Sequence, residues 1–195
     1  MTKSKALALA ALFHLASILL VFFPSFFLGK PIFATDLYLM LYEPFRGSFT
    51  DFHPFNHFDI DILNNFYLYN WVAQKSLYKP FWVSDIFGGI ADYASVYASH
   101  FSTLNWILKL GPLHITYPLK LMVFLEIAGL SMFTLLTFTE VAFVPALLAG
   151  SSYMFASLFI TMFLRFWLPG SFAWVPLIIL FAYLFVKKKK PWALP

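Results

Sequence analysis

Apolar and polar positions fall along this chain in long blocks, not in short periods. Residues 6–28 form a run of 23 positions without a formal charge. At about 1.5 Å per residue the run reaches roughly 34 Å, enough to cross a bilayer core. It is too long for the apolar core of a signal peptide, and no small-x-small cleavage site follows it before Lys30, so it reads as a retained anchor. Three further apolar blocks lie at residues 115–138, 141–163 and 166–186, separated by little more than Thr139-Glu140 and the neighbourhood of Arg165. Short connections between such blocks predict antiparallel transmembrane helices, because a spanning segment must satisfy its own backbone in lipid. Alternating polar and apolar strands are missing, which excludes a transmembrane barrel.

The stretch between the first two spans has a different texture. In residues 29–114 aromatics recur among polar residues, as in NNFYLYNWVAQKSLYKPFW, where Phe66, Tyr69, Trp71 and Val72 suggest one face of an amphipathic helix lying along the membrane surface. Gly47, Pro54, Pro80, Gly88-Gly89 and Gly111-Pro112 cut the segment into short pieces, predicting a mainly helical layer without an independent core.

Composition agrees with the pattern: 61% of residues are hydrophobic, 11% are charged and 26 of 195 are Phe, far from the balance of a soluble domain. The net charge of +4 derives largely from Lys187–Lys190, a local cluster and not a basic face suited to nucleic acid, so no nucleic-acid partner is expected. The chain has no Cys, which removes thiolate ligands and thiol nucleophiles and leaves the redox compartment open. Lys3 and Lys5 precede the first span and four lysines follow the fourth. By the positive-inside rule both ends are then cytoplasmic and residues 29–114 face outward; a multi-pass protein of the plasma (inner) membrane is expected. Pro-Trp-Ala-Leu-Pro after the lysines reads as the start of a further span, so a truncated, N-terminal fragment is expected, with a complete four-helix protein as the competing reading.

Seven of the nine acids lie in the outer segment. Asp36 and Glu43 in FATDLYLMLYEPF stand among aromatics just beyond the first span. Thr35-Asp36 could cap an interfacial helix, and Glu43 before Pro44 reads as a solvated loop acid or as a second acid of the same site. DFHPFNHFDID brings His53, His57 and Asp59 together, but no third ligand at a defined spacing completes a metal site, so a polar loop is preferred to a divalent cation. Glu126 lies inside the second span, where an acid costs on the order of 2.5 to 3.5 kcal/mol and calls for a partner such as Ser131, Thr134 or His14, or for protonation. Gly129, Ala149, Gly150, Ser151 and Ser152 suit close helix packing.

Residues 81–107, FWVSDIFGGIADYASVYASHFSTLNWI, are the most patterned part of the chain. Trp82, Phe87 before Gly88-Gly89, the small residues Ala91, Ala94 and Ser95, and Leu104-Asn105 resemble the outer-loop signature of the bacterial YfhO-like membrane proteins. Asp36, followed by Tyr42 and Pro44, resembles that family's early acid, and Trp174, Pro176 and Leu177 in RFWLPGSFAWVPLIIL are similar to its aromatic-x-proline-leucine pattern. The chain departs from the family at Val83-Ser84, Ala91 and Ser102-Thr103, and residues 47–61 have no counterpart.

The resemblance implies an all-α, polytopic membrane protein: part of a GT-C-like transmembrane bundle with a large helical first extracytoplasmic loop. It divides into a first span at residues 1–28, the loop at 29–114, three spans at 115–186 and a basic tail at 187–195. The implied activity is glycosyl transfer from a polyprenyl-phosphate-linked sugar to a glycan or other cell-envelope acceptor on the outer face, with the lipid-linked sugar as substrate and no certain cofactor. Asp36 is then the catalytic base, Glu43 a second acid, and Arg165, at the outer end of the third span, the cation on the carrier phosphate. As bland alternatives Asp36 is a helix cap and Arg165 an interfacial anchor; the alternative functions are a transporter or lipid-handling subunit, or a membrane scaffold.

Overall fold

The computed structural model describes residues 2–28, 74, 104–156 and 167–188. All secondary structure among the described residues is helical: α1 (Lys3–Val21), α2 (Phe23–Phe27), a 3-10 turn (Asn105–Lys109), α3 (Leu113–Phe138), α4 (Phe143–Met154) and α5 (Trp167–Lys188). By contact density the chain divides into two compact units, Met1–Phe26 with Leu121–Pro195, and Phe27–Lys120.

Three helices are long and apolar enough to cross a membrane: Lys3–Val21, Ile115–Phe138 and Gly170–Lys187, with mean hydropathies of 1.9, 2.0 and 1.8. They are apolar on all sides, yet much of their surface is uncovered by protein; Leu20, Ile178 and Val186 are 76%, 62% and 69% exposed. Apolar faces of this length that no protein covers are faces solvated by lipid. This is a membrane protein whose described helices contact the bilayer directly.

The first apolar run is not one helix, contrary to the sequence-based expectation. It breaks at Phe22, whose N–H makes the last ordinary turn to the Ile18 carbonyl at 2.9 Å. Pro24 is the cause: it has no N–H for the Leu20 carbonyl, so the ladder stops and restarts as the short α2. The 141–163 block departs as well. Its described helix, α4, has 12 residues, about 18 Å, and closes at Phe155, where Ala156 N–H turns back to the Tyr153 carbonyl. No Gly or Pro marks that stop, and the local sequence does not explain it. Residues 157–166 lie outside the described residues.

One corner and one internal proline have clear chemistry. Between α3 and α4, Val141 N–H bonds the Leu136 carbonyl at 3.0 Å and Glu140 N–H bonds Thr137 at 3.3 Å, the paired bonds of a Schellman cap. The residue that must be left-handed there is Glu140, at φ 69°. Pro176 lies inside α5 and cannot donate to the Phe172 carbonyl one turn earlier. A neighbouring helix supplies what is lost: the Tyr153 hydroxyl from α4 donates to the Phe172 carbonyl at 2.8 Å, and beside it the Ser131 hydroxyl from α3 donates to the Ala173 carbonyl at 2.9 Å. This is how a proline is accommodated where no water reaches the backbone.

In the unit built from Met1–Phe26 and Leu121–Pro195, Ala10 of α1, Phe133 of α3 and Ala146 of α4 form a buried cluster, with the Phe133 and Phe143 rings edge to face at 5.7 Å. Leu180 and Leu184 of α5 pack with Leu135 and Phe138 of α3. The Lys3 ammonium lies 4.6 Å from the centroid of the Phe138 ring. The start of α1 and the ends of α3 and α5 therefore share one end of this unit.

Candidate functional site

Polar side chains inside apolar helices carry an energetic cost that function most often explains, and three such places fall among the described residues. Within Phe27–Lys120 the 3-10 turn leads into α3 through Gly111-Pro112. Pro112 has no N–H, so the Leu108 carbonyl lacks its helical donor. Gln74 Nε2 donates to it at 2.6 Å and to the Gly111 carbonyl at 2.7 Å, tying a residue more than thirty positions upstream to the entrance of the span. Five residues into that span, Lys120 is fully buried, and its Nζ donates to Asn105 Oδ1 at 2.7 Å. A buried ammonium has to be met by acceptors, and Asn105, itself 2% exposed, is one of them. Tyr117 is buried one turn before the lysine.

The second place is His14, in the middle of α1 and fully buried. Its ring lies where three helices meet. A Cβ added to Gly129 of α3 would fall 2.8 Å from His14 Nδ1 and 2.9 Å from the sulfur of Met154. One added to Gly150 of α4 would fall 3.1 Å from His14 Nε2 and 2.7 Å from the Gly129 carbonyl oxygen. The two glycines therefore act together: both make room for the imidazole, Gly129 also for the Met154 side chain, and Gly150 also for the backbone of α3. Although the Leu147 backbone is near the ring, neither ring nitrogen has a partner at hydrogen-bond distance and angle.

The third is Glu126, one turn before Gly129 on α3, with its Oε2 buried and without a hydrogen-bond partner. The sequence-based partners for it are all engaged elsewhere or unbonded. Ser131 donates to the Ala128 and Ala173 carbonyls, Thr134 to Leu130 at 2.6 Å, and His14 makes no such bond.

The residues singled out for chemistry lie outside the described residues: Asp36, Glu43, Arg165, the signature residues Trp82, Gly88 and Gly89, and the weak metal candidates His53, His57 and Asp59. Among the described residues no three His, Asp or Glu side chains gather into a metal-sized cluster. Of the outer-loop signature, Leu104-Asn105 falls in the described part, and there Asn105 is the lysine's acceptor. Lys120 is the residue that sequence reasoning passed over. Its signal was present, since a lysine in an apolar 24-residue span is as anomalous as Glu126.

The class that fold and site define is an all-helical membrane protein with buried polar groups inside its spans. Comparison of the chain with family models, with curated proteins and with solved structures finds no match.

Proposed function

We propose that the chain is a YfhO-like glycosyltransferase of the GT-C type, which moves a sugar from a polyprenyl-phosphate carrier to a cell-envelope acceptor. The observation that carries this reading is the outer-segment pattern Trp82, Gly88-Gly89, Leu104-Asn105 leading directly into an apolar span. In support of it, the part of that pattern among the described residues has a defined physical role, because Asn105 holds the Lys120 ammonium at the head of the span. A polar side-chain pair of this kind, with Gln74 anchoring the turn beside it, suits a segment that must keep a fixed shape against the membrane.

The chemistry follows from the bond exchanged. The acceptor hydroxyl attacks the anomeric carbon, the bond from that carbon to the carrier phosphate breaks, and the hydroxyl proton passes to Asp36. A positioned base of this kind contributes on the order of 10² to 10⁴ in rate. The phosphate departs with the bonding electron pair, and Arg165 balances the charge it gains. Glu43 is the second acid of the same segment.

The test is turnover in membrane vesicles that carry the chain, supplied with a radiolabelled polyprenyl-phosphate hexose. Wild type should release carrier phosphate, and Asp36→Asn should abolish release while inserting to the same level. Equal turnover by the two would sink the assignment of the base, and no turnover by wild type with any such donor would sink the glycosyltransferase itself. A second reading, a transporter or lipid-handling subunit, is favoured by Glu126 and His14, whose buried polar atoms lack partners. It predicts donor-independent flux of a cation or lipid across the same vesicles, lost in Glu126→Gln.

A further inference from the structure

At the end of the Met1–Phe26 and Leu121–Pro195 unit where α1 starts and α3 finishes, a cavity of about 240 Å³ opens between the two helices. Its floor is the buried Phe133 ring, its walls include Leu7 and Phe138, and its lip carries Lys3, Ser4 and Thr137. We propose that this groove holds one acyl chain of an anionic phospholipid, with the headgroup phosphate on the Lys3 ammonium.

Three observations select that occupant. The groove presents mainly apolar surface, because its two threonines turn their hydroxyls to helix carbonyls, and it adjoins the lipid-facing surface of α1, where Leu7 is 44% exposed. Its volume is below the roughly 300 Å³ at which pockets for compact small molecules begin, so it takes a segment of a slender acyl chain, the remainder lying in the bilayer, and not a bulky ligand. The charge at its lip is positive. The Thr137 hydroxyl donates to the Thr134 carbonyl at 3.0 Å and the Thr134 hydroxyl to Leu130, so both are engaged by the helix backbone. Ser4 and Thr2 share a 3.3 Å hydroxyl contact. Lys3 remains as the donor of full charge, and no described carboxylate pairs with it.

The Phe138 ring 4.6 Å away holds the ammonium over the lip, and a ring occupies only one side of a group that has three donors. The other donors are available to phosphate oxygens. Lys5 and Lys187 raise the same potential from neighbouring positions, and Glu140 is the described acid at this end. Attraction of an anionic leaflet to basic residues at a membrane surface is general; the groove adds a place where one lipid is held by both its chain and its head.

Native mass spectrometry of the detergent-purified chain, incubated with equal amounts of phosphatidylglycerol and phosphatidylcholine, tests this directly. Wild type should retain phosphatidylglycerol about fivefold better. Lys3→Gln should bring that ratio to unity, whereas Lys5→Gln, which removes the same charge outside the groove, should leave it within twofold. Leu7→Trp, at an exposed position lining the groove, should lower retention of both lipids. Equal retention of the two lipids by wild type overturns the proposal. Equal loss in Lys3→Gln and Lys5→Gln overturns it too, because it marks a diffuse surface attraction. Retention unchanged in Leu7→Trp removes the acyl chain from the groove.

Discussion

Single residues carry two tests of how this chain holds polar groups in an apolar setting. Asn105 presents its amide oxygen to a buried ammonium, and a hydrogen bond to a charged group contributes about 1.5 to 3 kcal/mol. Asn105→Ala should therefore destabilise the protein by about 2 kcal/mol, read as a lower midpoint of thermal unfolding in detergent. Asn105→Asp keeps an oxygen toward Lys120 and should recover most of the loss. If both variants unfold alike, the ammonium is held by its other contacts. Glu140 is the converse case. A side chain in left-handed backbone costs about 1 to 2 kcal/mol, and glycine removes that cost while losing chain entropy. Glu140→Gly should be more stable by about 1 kcal/mol in the same assay, and a lowered midpoint would show that the carboxylate makes a stabilising contact of its own.

At the scale of elements, the proline-containing α5 depends on its neighbours. The Phe172 carbonyl accepts from the Tyr153 hydroxyl because Pro176 cannot serve it. Tyr153→Phe should cost about 1 to 3 kcal/mol, the penalty for an acceptor left unpaired in a buried place. In a Pro176→Ala background the helix regains its own N–H at that position, so the same tyrosine change should become close to neutral. A double-mutant cycle on thermal unfolding measures this coupling, and additive effects would refute it.

Much of the element pattern was legible in the sequence, because block hydrophobicity is a strong signal: α1, α3 and α5 overlap three of the four apolar blocks, and the shorter α4 lies within the remaining one. Pro24 was equally legible as a breaker, but the unbroken apolar run masked it. The pairing of Gly129 with Gly150 around His14 was visible only as a collection of small residues. Which glycine faces which side chain depends on helix crossings that no local pattern encodes. For Glu126, spacing suggested Ser131 and Thr134, yet hydroxyls in apolar helices bond first to carbonyls within reach on their own helix or a neighbour. Asp36, Arg165 and the loop signature remain legible as sequence alone.

For the molecule as a whole, the end shared by Lys3, Phe138 and the last turn of α5 is a statement about topology. The absence of Cys makes it straightforward to check. Single cysteines at Ser4, Glu140 and Val186 should react with a membrane-impermeant maleimide from the same side of sealed vesicles. A cysteine at Leu110, before α3 begins, should react from the opposite side. The positive-inside rule predicts that the first side is the cytoplasmic one, and the same labelling checks it. Labelling of Ser4→Cys and Val186→Cys from different sides would overturn the even number of passes.

The carbonyl that Pro176 leaves without a donor, and its neighbour at Ala173, bear on the order in which the chain enters the bilayer. Ser131 and Tyr153, which serve Ala173 and Phe172, are synthesised before the proline is. A ribosome feeding this chain into a translocon therefore delivers the two hydroxyl donors first and the needy backbone last. The α3–α4 hairpin acts as a receptor for α5, and a chain whose hairpin is disturbed should stall with its last described helix outside the lipid.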